Sequence, residues 1–355
     1  MDIPKTTAPD VARYRFQFFG NAREYFGIWL VNILLSIVTL GIYSAWAKVR
    51  RLKYFYGNTY LAEHSFDYHA NPYQILKGRI IAVAALIVLN FTASFLPLVG
   101  LALIVVYLTV LPWLINIGLR FRMRMTSYRN VRFGFSGTYK QSLIVFVLLP
   151  LCVPFTLGLI TPVVSRATTR YLAGNTTYGQ ATMRSDPPLR GLYGALMLII
   201  AIFIVVGLLA LGIFYLAATS GWLQKVVIGE DPVGMVMLQG VGVLIYGIII
   251  ACAVYYTAAV REASLNALVV DEKHQVVTVL SPIVYVWITL SNFVATIATI
   301  GLLRPWAAVR SYRYLVDVTA VDTQGPLDEF YDQHGDTDGV AAQEFLDLDG
   351  FDFGF

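Results

Sequence analysis

Charged side chains are scarce in this sequence, and five long stretches contain none. Of the 355 residues, 14% are charged and 57% are hydrophobic, whereas soluble globular domains carry about 25% charged residues. Asp, Glu, Lys and Arg are all absent from residues 80–119, 141–165, 191–224, 232–260 and 274–303. A helix that crosses roughly 30 Å of hydrocarbon needs about 20 residues, so each stretch is long enough to span a bilayer. The sequence therefore predicts an integral membrane protein and excludes a soluble domain.

Cysteine and histidine are also rare, which limits the available chemistry. The two cysteines, Cys152 and Cys252, lie within apolar stretches, and the four histidines form no zinc-binding motif. The glycine-rich segment at residues 174–180 has glutamine where a phosphate-binding loop requires lysine. The sequence contains no Gly-x-Ser-x-Gly nucleophile elbow. We therefore expect no catalytic residues, no metal site and no cofactor, and we predict that the protein is not an enzyme.

The apolar stretches also lack the buried acid or base that proton- and sodium-coupled transporters usually carry. Their polar residues are neutral, as at Asn32, Ser36 and Asn292, and neutral polar groups more often join helices to each other. A proton-relay transporter is therefore disfavoured. A passive channel, a carrier for apolar molecules and a lipid-handling protein all stay compatible with the sequence.

One sequence unit occurs three times along the chain. Residues 39–54 recur 260 positions later as residues 299–314, and both copies contain Trp-Ala-x-Val-Arg. At a shift of 117 positions, residues 16–20 align with residues 133–137, and a Gly-Asn-Thr sequence occurs in both copies. We therefore predict three internal repeats at about 13–70, 130–185 and 268–321, within a membrane domain of residues 13–320 that follows an N-terminal tail of residues 1–12.

Each repeat consists of a short alternating segment, an apolar run, a basic stretch and a second strand-like piece. Two long apolar hairpins, residues 80–118 and 191–260, separate the repeats. The predicted fold is an all-α integral membrane protein with two long transmembrane hairpins, three repeated membrane segments and short β elements at the cytoplasmic face. Helix-weakening or polar residues interrupt the repeated segments, and they are candidates for a helix break or a solute path: Asn32, Ser36, Gly41, Pro150, Pro154, Gly158, Asn292 and Gly301.

The basic residues discriminate between two arrangements of the repeated segments. If every apolar run crosses once, ten of the 26 Lys and Arg residues lie outside, which fits poorly with the usual excess of basic residues in the cytoplasm. If the repeated segments instead enter and leave on one face, all basic residues except Lys225 lie on that face. The charge distribution favours re-entrant segments, with most loops and the C-terminal tail in the cytoplasm. A spanning helix kinked at mid-depth is the alternative.

The motifs of the first repeat resemble the bacterial YjgN-like family, a domain of unknown function. The resemblance is carried by residues 26–29, 39–51 and 54–59, and it covers residues 13 to about 320. It implies an inner-membrane protein and brings no settled activity, substrate or catalytic residue. It also suggests a membrane metallopeptidase as a protein partner.

Basic and aromatic residues at the ends of the repeated segments are candidates for contact with lipid headgroups. Cations near an anionic surface gain about 1 kcal/mol each, although ordinary cytoplasmic flanks carry the same residues. The candidate headgroup or anion contacts are Arg50, Lys53, Arg170, Arg310 and Arg313. The aromatic residues expected at the membrane interface are Trp46, Tyr54, Tyr171, Trp306 and Tyr314.

The C-terminal residues 322–355 contain ten acidic residues and no Lys or Arg, which predicts a disordered tail that binds a protein partner or only solubilises the chain. Two functions stay open. The first is a channel- or transporter-like protein for a small or apolar solute, and the second is a membrane scaffold or lipid-interacting envelope protein. Membrane lipids are expected partners, a homo-oligomer is compatible with the sequence, and nucleic acid is not expected.

Overall fold

The computed structural model describes residues 11–324, which form eleven β-strands and a set of helices that leave one end of a single sheet. In chain order the elements are β1 (Val11–Arg15), β2 (Gln17–Phe18), α1 (Ala22–Val38), α2 (Ser44–Gly57), β3 (Thr59–Leu61), β4 (His64–Tyr68), α3 (Pro72–Phe95), α4 (Pro97–Arg124), β5 (Thr126–Tyr128), β6 (Val131–Phe135), α5 (Tyr139–Leu143), a π-helical turn (Ile144–Leu148), α6 (Leu149–Leu151), a 3-10 turn (Pro154–Thr156), α7 (Thr161–Gly174), β7 (Thr176–Tyr178), β8 (Ala181–Ser185), α8 (Leu189–Thr219), α9 (Trp222–Val227), α10 (Pro232–Asn266), β9 (Leu268–Val270), β10 (His274–Thr278), α11 (Pro282–Ala298), α12 (Arg304–Asp317) and β11 (Thr319–Gln324).

The elements form five units, each of which is a helical hairpin held between two strands. Unit 1 is β2–α1–α2–β3, and unit 2 is β4–α3–α4–β5. Unit 3 runs from β6 through α5, α6 and α7 to β7, unit 4 runs from β8 through α8 and α10 to β9, and unit 5 is β10–α11–α12–β11. Tight turns connect β3 to β4 and β5 to β6, with positive φ at both central residues, Ala62–Glu63 and Arg129–Asn130, as hairpin turns of this type require. The turns therefore lie at one end of the sheet and the helices at the other.

The sheet nearly closes on itself. All neighbouring strands are antiparallel, and their order is β1-β11-β10-β9-β8-β7-β6-β5-β4-β3-β2. The two outer strands, β1 and β2, are consecutive in the chain and are separated only by Phe16. The backbone N–H of Phe16 donates to the carbonyl oxygen of Thr319 at 3.2 Å. Apolar and aromatic side chains fill the space that the sheet surrounds, including Leu61, Tyr128, Tyr178, Val276 and Val321.

The all-α prediction is wrong, because this eleven-stranded sheet is the base from which every helical hairpin starts. Five of the strands have only two or three residues, which is too short for a clear alternating pattern. The pairing of β1 with β11 also joins residues that are about 310 positions apart in the chain, as in the pair Val11 and Gln324. Local periodicity in a sequence therefore reveals neither the shortest strands nor the pairing of β1 with β11.

Each helical hairpin leaves and rejoins the sheet at adjacent residues. In unit 1 the N–H of Phe19 donates to the carbonyl of Asn58 at 3.0 Å, and in unit 3 the N–H of Ser136 donates to the carbonyl of Asn175 at 2.9 Å. In unit 2 the N–H of His69 donates to Met125 at 2.8 Å. Both ends of each of these hairpins therefore lie on the same side of the molecule. Whether the short hairpins enter a membrane from that side stays a prediction.

The hairpins differ in length. Four helices, α3, α4, α8 and α10, are long and apolar enough to span a bilayer, whereas α1 and α11 contain 17 residues each. The long helices have 24 to 35 residues, so at 1.5 Å per residue they are roughly 10 to 27 Å longer than α1 and α11. The short hairpins end in exposed apolar tips formed by Leu40, Leu157 and Ile300, each more than 90% exposed.

Consecutive units pack side by side, and the last unit packs against the first. Helix α2 contacts α3, α4 contacts α5, α7 contacts α8, α10 contacts α11, and α12 contacts α1. The hydroxyl groups of Thr59 in unit 1 and Tyr312 in unit 5 lie 2.9 Å apart. The five hairpins therefore form a closed ring that continues the ring of strands.

Candidate functional site

A cavity of about 420 Å³ lies where unit 5 meets unit 1, and it extends along α12 from Asp317 beside the sheet to Trp306 near the hairpin tip. Helix α12 provides most of its lining, and the start of α1 closes it. We call it the arginine cavity, and its polar and aromatic lining residues are Asn21, Trp306, Arg310, Arg313, Tyr314 and Asp317. Four of these residues, namely Trp306, Arg310, Arg313 and Tyr314, are among those predicted from the sequence to contact headgroups or the membrane interface. The structure brings them together on one face.

The two arginines of the cavity are held in place by neutral partners. Nη1 of Arg310 donates to Oγ of Ser291 at 2.7 Å and to Oδ1 of Asn292 at 3.0 Å. The Arg310 guanidinium carbon lies 5.2 Å from the ring centroid of Trp306, within the range of a cation–π interaction. Nη2 of Arg313 donates to the carbonyl oxygen of Gly20 at 2.7 Å. None of these partners is charged, so they do not neutralise the positive charge of either guanidinium group.

Asp317 is the acidic member of the cavity lining. Burial raises the pKa of the Asp317 carboxyl group, and the nearby charge of Arg313 opposes that shift. A carboxyl group with a raised pKa takes up a proton at a higher pH than usual. The positive character of the cavity therefore increases as the pH falls through the pKa of Asp317.

A second cavity, of about 610 Å³, occupies the equivalent place in unit 4. Pro282 takes the place of Ala22, and Ala195 takes the place of Ile288. Glu262 stands where unit 5 has Arg313, and Ala259 stands where it has Arg310. We call this the glutamate cavity. The two cavities share a position in the fold and differ in charge. Binding of a charged ligand to one cavity can therefore be compared with its binding to the other in the same protein.

Equivalent arginine hydrogen bonds join unit 5 to unit 1 and unit 2 to unit 3. Arg313 of unit 5 binds the carbonyl of Gly20 in unit 1, and Arg120 of unit 2 binds the carbonyl of Gly137 in unit 3 at 3.1 Å. Both arginines precede by six residues the threonine that begins the next strand. The return helix of one unit thus fixes the strand-to-helix turn of the next.

The predicted interfacial tyrosines join parts of the protein to each other. The Tyr54 hydroxyl accepts from the N–H of Asn21 at 2.8 Å and donates to its carbonyl at 2.9 Å. The Tyr314 hydroxyl accepts from the N–H of Ser281 at 3.0 Å. Tyr171 is 5% exposed and donates to Oδ1 of Asn116. Each of the three tyrosines therefore has a structural hydrogen-bonding role in the protein.

The remaining predicted headgroup contacts lie outside the arginine cavity. Arg50 and Lys53 are exposed on α2, and Trp46 on the same helix packs edge-on against Tyr73, with the ring centroids 5.1 Å apart. Nε of Arg170 lies 3.4 Å from Oδ1 of Asp186. These cations and aromatics do not converge on one site.

Arg166 holds Asp186 more tightly than Arg170 does. Its Nε and Nη2 donate to the two carboxylate oxygens of Asp186 at 2.6 and 2.9 Å. The hydrogen bonding from Arg166 lowers the pKa of the Asp186 carboxyl group. This pair joins the return helix of unit 3 to the start of unit 4.

The predicted path and helix-break residues are distributed over three hairpins. Asn292 is buried and donates to the carbonyl of Ala307 at 3.1 Å and to Oγ of Ser311 at 2.9 Å. Asn32, its counterpart in unit 1, is buried, and its carbonyl oxygen accepts a 2.6 Å hydrogen bond from Oγ of Ser36. Asn292 thus joins α11 to α12 within its own hairpin, whereas the side-chain oxygen of Asn32 is buried without a hydrogen-bond partner.

Proline and glycine shape the broken segments. Pro150 lies in α6, directly after the π-helical turn, and Pro154 begins the 3-10 turn. The regular helix is interrupted here because proline cannot supply the backbone N–H that a regular helix needs. Gly41, Gly158 and Gly301 form the tips, with φ of +90°, +84° and +90°. The glycines turn the chain back toward the sheet.

No metal site is present within residues 11–324, where no three His, Cys, Asp or Glu side chains group together. The sequence reasoning did not single out Asn21, Asp317 or Glu262 as site residues. One spacing in the sequence does relate the hairpins to each other. Trp46, Trp113 and Trp306 each precede by 13 positions the threonine that starts a strand. That spacing would have placed the long hairpin of unit 2 in the same pattern as units 1 and 5.

Comparison with known proteins gives a family and relatives that are named as inner membrane proteins. A family model described as "Bacterial protein of unknown function (DUF898)" matches residues 13–348. Inner membrane protein YjgN of Escherichia coli K12 is 33% identical over 152 residues, which cover 42% of this chain and 38% of that protein. Inner membrane protein YjgN of Salmonella typhimurium is 28% identical over 163 residues, covering 46% and 41%. The aligned regions thus span about two fifths of these relatives. No solved structure matches the chain.

Proposed function

We propose, given that the chain belongs to the DUF898 family of bacterial proteins, that it is an inner-membrane protein that binds anionic lipid headgroups in the arginine cavity. The relatives are named as inner membrane proteins, and four helices fit a membrane span. The observation that carries the proposal is the placement of Trp306, Arg310 and Arg313 along one face of α12, where they line the same cavity. Guanidinium groups pair with phosphate oxygens, and tryptophan favours the depth of the headgroups.

The proposal includes an orientation. The long hairpins of units 2 and 4 cross the bilayer, the short hairpins enter it from the sheet side, and the sheet faces the cytoplasm. The distribution of basic residues supports this orientation, since within residues 11–324 Lys225 is the only basic residue at the far end of a long hairpin. The internal repeat of units 1, 3 and 5 stays a prediction, and it is supported by the matching φ angles at Gly41, Gly158 and Gly301.

Transport of a small or apolar solute is the second candidate, and the three broken short hairpins favour it. Discontinuous membrane segments commonly surround a transported substrate. A straight aqueous path would have to pass through the apolar interior of the sheet, which Tyr128, Tyr178 and Val276 occupy. A solute would therefore need a lateral route between hairpins. Uptake of a small neutral solute into liposomes that contain the protein would favour transport over lipid binding.

The test of lipid binding compares the two cavities in the same protein. The full chain is placed in nanodiscs with 20 mol% phosphatidylglycerol in phosphatidylcholine, and bound lipids are counted by native mass spectrometry. Each cationic contact contributes about 1 kcal/mol near an anionic surface, so Arg310→Gln and Arg313→Gln should each reduce bound phosphatidylglycerol about fivefold relative to phosphatidylcholine. Arg313→Lys should keep most of the binding because it keeps the charge.

Glu262→Gln is the matched control in the glutamate cavity. Removing a negative charge there should leave phosphatidylglycerol binding unchanged or increase it. Equal binding by the wild type, both glutamine variants and the control would contradict the proposal. If the glutamine variants lose binding and also unfold at a lower temperature, Arg313→Lys separates loss of charge from loss of folding. The lysine variant must retain binding if the positive charge is the cause.

A further inference from the structure

An amide side chain lies on an apolar helix face that no other described part of the protein covers. Helix α3 exposes Val83, Ile87, Asn90 and Ser94 along one side. These residues line a shallow concavity of about 510 Å³ on the surface of the hairpin of unit 2. Nδ2 of Asn90 donates only to the carbonyl of Leu86 in its own helix, at 2.9 Å.

The depth of Asn90 makes this exposure costly. Arg79 is the last charged residue of α3, and the apolar part of the helix follows it. Asn90 follows Arg79 by eleven positions, so it lies roughly 16 Å farther along the helix axis. That distance is close to half the roughly 30 Å thickness of the hydrocarbon layer. An amide with unused donor and acceptor capacity at this depth gains from a polar partner.

The spacing of the exposed residues fits a helix–helix seam. Val83, Ile87, Asn90 and Ser94 follow one another at intervals of four, three and four positions. This is the spacing of residues that face a partner helix in a coiled coil, and a single asparagine in such a seam fixes the register and the number of helices.

We infer that α3 is a dimerisation helix and that its partner is α3 of a second copy of this chain. Two copies in one membrane have the same orientation, so a twofold axis along the membrane normal brings the same helix face together with its helices parallel. Asn90 then meets Asn90 of the other copy at the same depth. A carboxamide is both donor and acceptor, so two of them complement each other. The inference is independent of the lipid-binding proposal.

Disulfide crosslinking in membranes tests the interface. In a background with Cys152→Ala and Cys252→Ala, Ile87→Cys and Ser94→Cys should give crosslinked dimers on oxidation. Val88→Cys is the matched control, because it is exposed on the same helix but points about 100° away from Ile87. Equal crosslinking at residues 87 and 88, or crosslinks only to a different protein, would overturn the inference.

The contribution of the amide is measured separately. An interhelical hydrogen bond in a membrane contributes about 0.6–2 kcal/mol, so Asn90→Leu should weaken the dimer about 3- to 30-fold in a fluorescence measurement of labelled full-length protein in liposomes. Asn90→Gln should retain most of the association. Gln239→Leu, at an exposed amide on α10, should leave it unchanged. Monomers in the wild type, or equal association of Asn90→Leu and wild type, would overturn the inference.

Discussion

Nη2 of Arg313 donates a 2.7 Å hydrogen bond to the carbonyl oxygen of Gly20 and so joins the last helical unit to the first. The equivalent bond from Arg120 to Gly137 joins unit 2 to unit 3. A hydrogen bond from a charged donor to a backbone carbonyl in a partly buried position stabilises the fold by about 1.5 kcal/mol. These bonds give each unit a fixed position relative to its neighbour, and this keeps the residues of the arginine cavity together.

Replacing Arg120 with glutamine should destabilise the protein. The change removes the bond to Gly137 and lies outside the arginine cavity, so we expect a loss of about 1 kcal/mol in the free energy of unfolding with lipid binding retained. Thermal unfolding in detergent measures the loss. Lys53→Gln is the control, because Lys53 occupies the equivalent helix position and is exposed. An equal decrease in both variants would contradict the assignment.

The sheet closes through an ion pair between its first and last strands. Nε and Nη2 of Arg13 each donate to an oxygen of Asp322 at 2.5 Å, and both side chains are less than 20% exposed. Asp322→Asn should therefore lower the free energy of unfolding by about 1.5–3 kcal/mol. A double-mutant cycle with Arg13→Gln should show strong coupling. Asp67→Asn, at a side chain that is 61% exposed, should have little effect, and additive effects of the Arg13 and Asp322 changes would argue against closure by this pair.

Acid should weaken the contact between units 3 and 4. The pKa of Asp186 is lowered in the folded protein by hydrogen bonding from Arg166. A lowered folded-state pKa stabilises the fold above the unfolded-state pKa, and this stabilisation is lost as the pH falls through the folded-state pKa. Unfolding temperatures measured from pH 7 to pH 3 should decrease more steeply in the wild type than in Asp186→Asn. Parallel curves would show that the ion pair contributes nothing.

Lipid binding in the arginine cavity should strengthen as the pH is lowered. Burial raises the pKa of Asp317, so protonation of this carboxyl group removes a negative charge beside Arg313 before ordinary carboxyl groups titrate. Asp317→Asn should bind phosphatidylglycerol at neutral pH as strongly as the wild type does at low pH, with a flatter pH profile. Native mass spectrometry at several pH values measures both. A profile in Asp317→Asn as steep as that of the wild type would exclude Asp317 as the cause.

The tip glycines should tolerate no side chain. Gly41 and Gly301 have φ of +90°, where a Cβ atom costs about 1–2 kcal/mol. Gly41→Ala should therefore lower the unfolding temperature. Gly57→Ala is the control, since Gly57 lies in helix α2 with open space around a new Cβ, and alanine there should stabilise the helix by up to about 1 kcal/mol. Destabilisation by Gly57→Ala alone would contradict this account of the turn.

The sequence predicted the local features and missed those that depend on distant pairing. The apolar lengths of α3, α4, α8 and α10 follow from composition, and the short strand that opens each repeat follows from alternation. Strands β5 and β9 were missed because three residues each, at Thr126–Tyr128 and Leu268–Val270, carry too little pattern. Ring closure was missed because it depends on the pairing of β1 with β11, whose members lie at opposite ends of the described chain.

The sequence predicted four lining residues of the arginine cavity, Trp306, Arg310, Arg313 and Tyr314, as candidate headgroup or interface contacts, but it did not predict the cavity. Asn21 comes from the other end of the chain, and only the packing of α12 on α1 brings it to the cavity. Conversely, the predicted contact Arg170 lies near Asp186, which no spacing rule would pair with it.

The sidedness of the sheet is the claim on which lipid binding and the topology both depend. Single cysteines replace Glu63, Asn130, Gln180 and Glu272 at the turns between strands, and Ile228 at the far end of the unit 4 hairpin, in a background without Cys152 and Cys252. A membrane-impermeant maleimide added to intact spheroplasts should label only the cysteine at position 228, and inverted vesicles should give the reverse pattern. Labelling of any of the four turn positions from outside the spheroplasts would contradict the account.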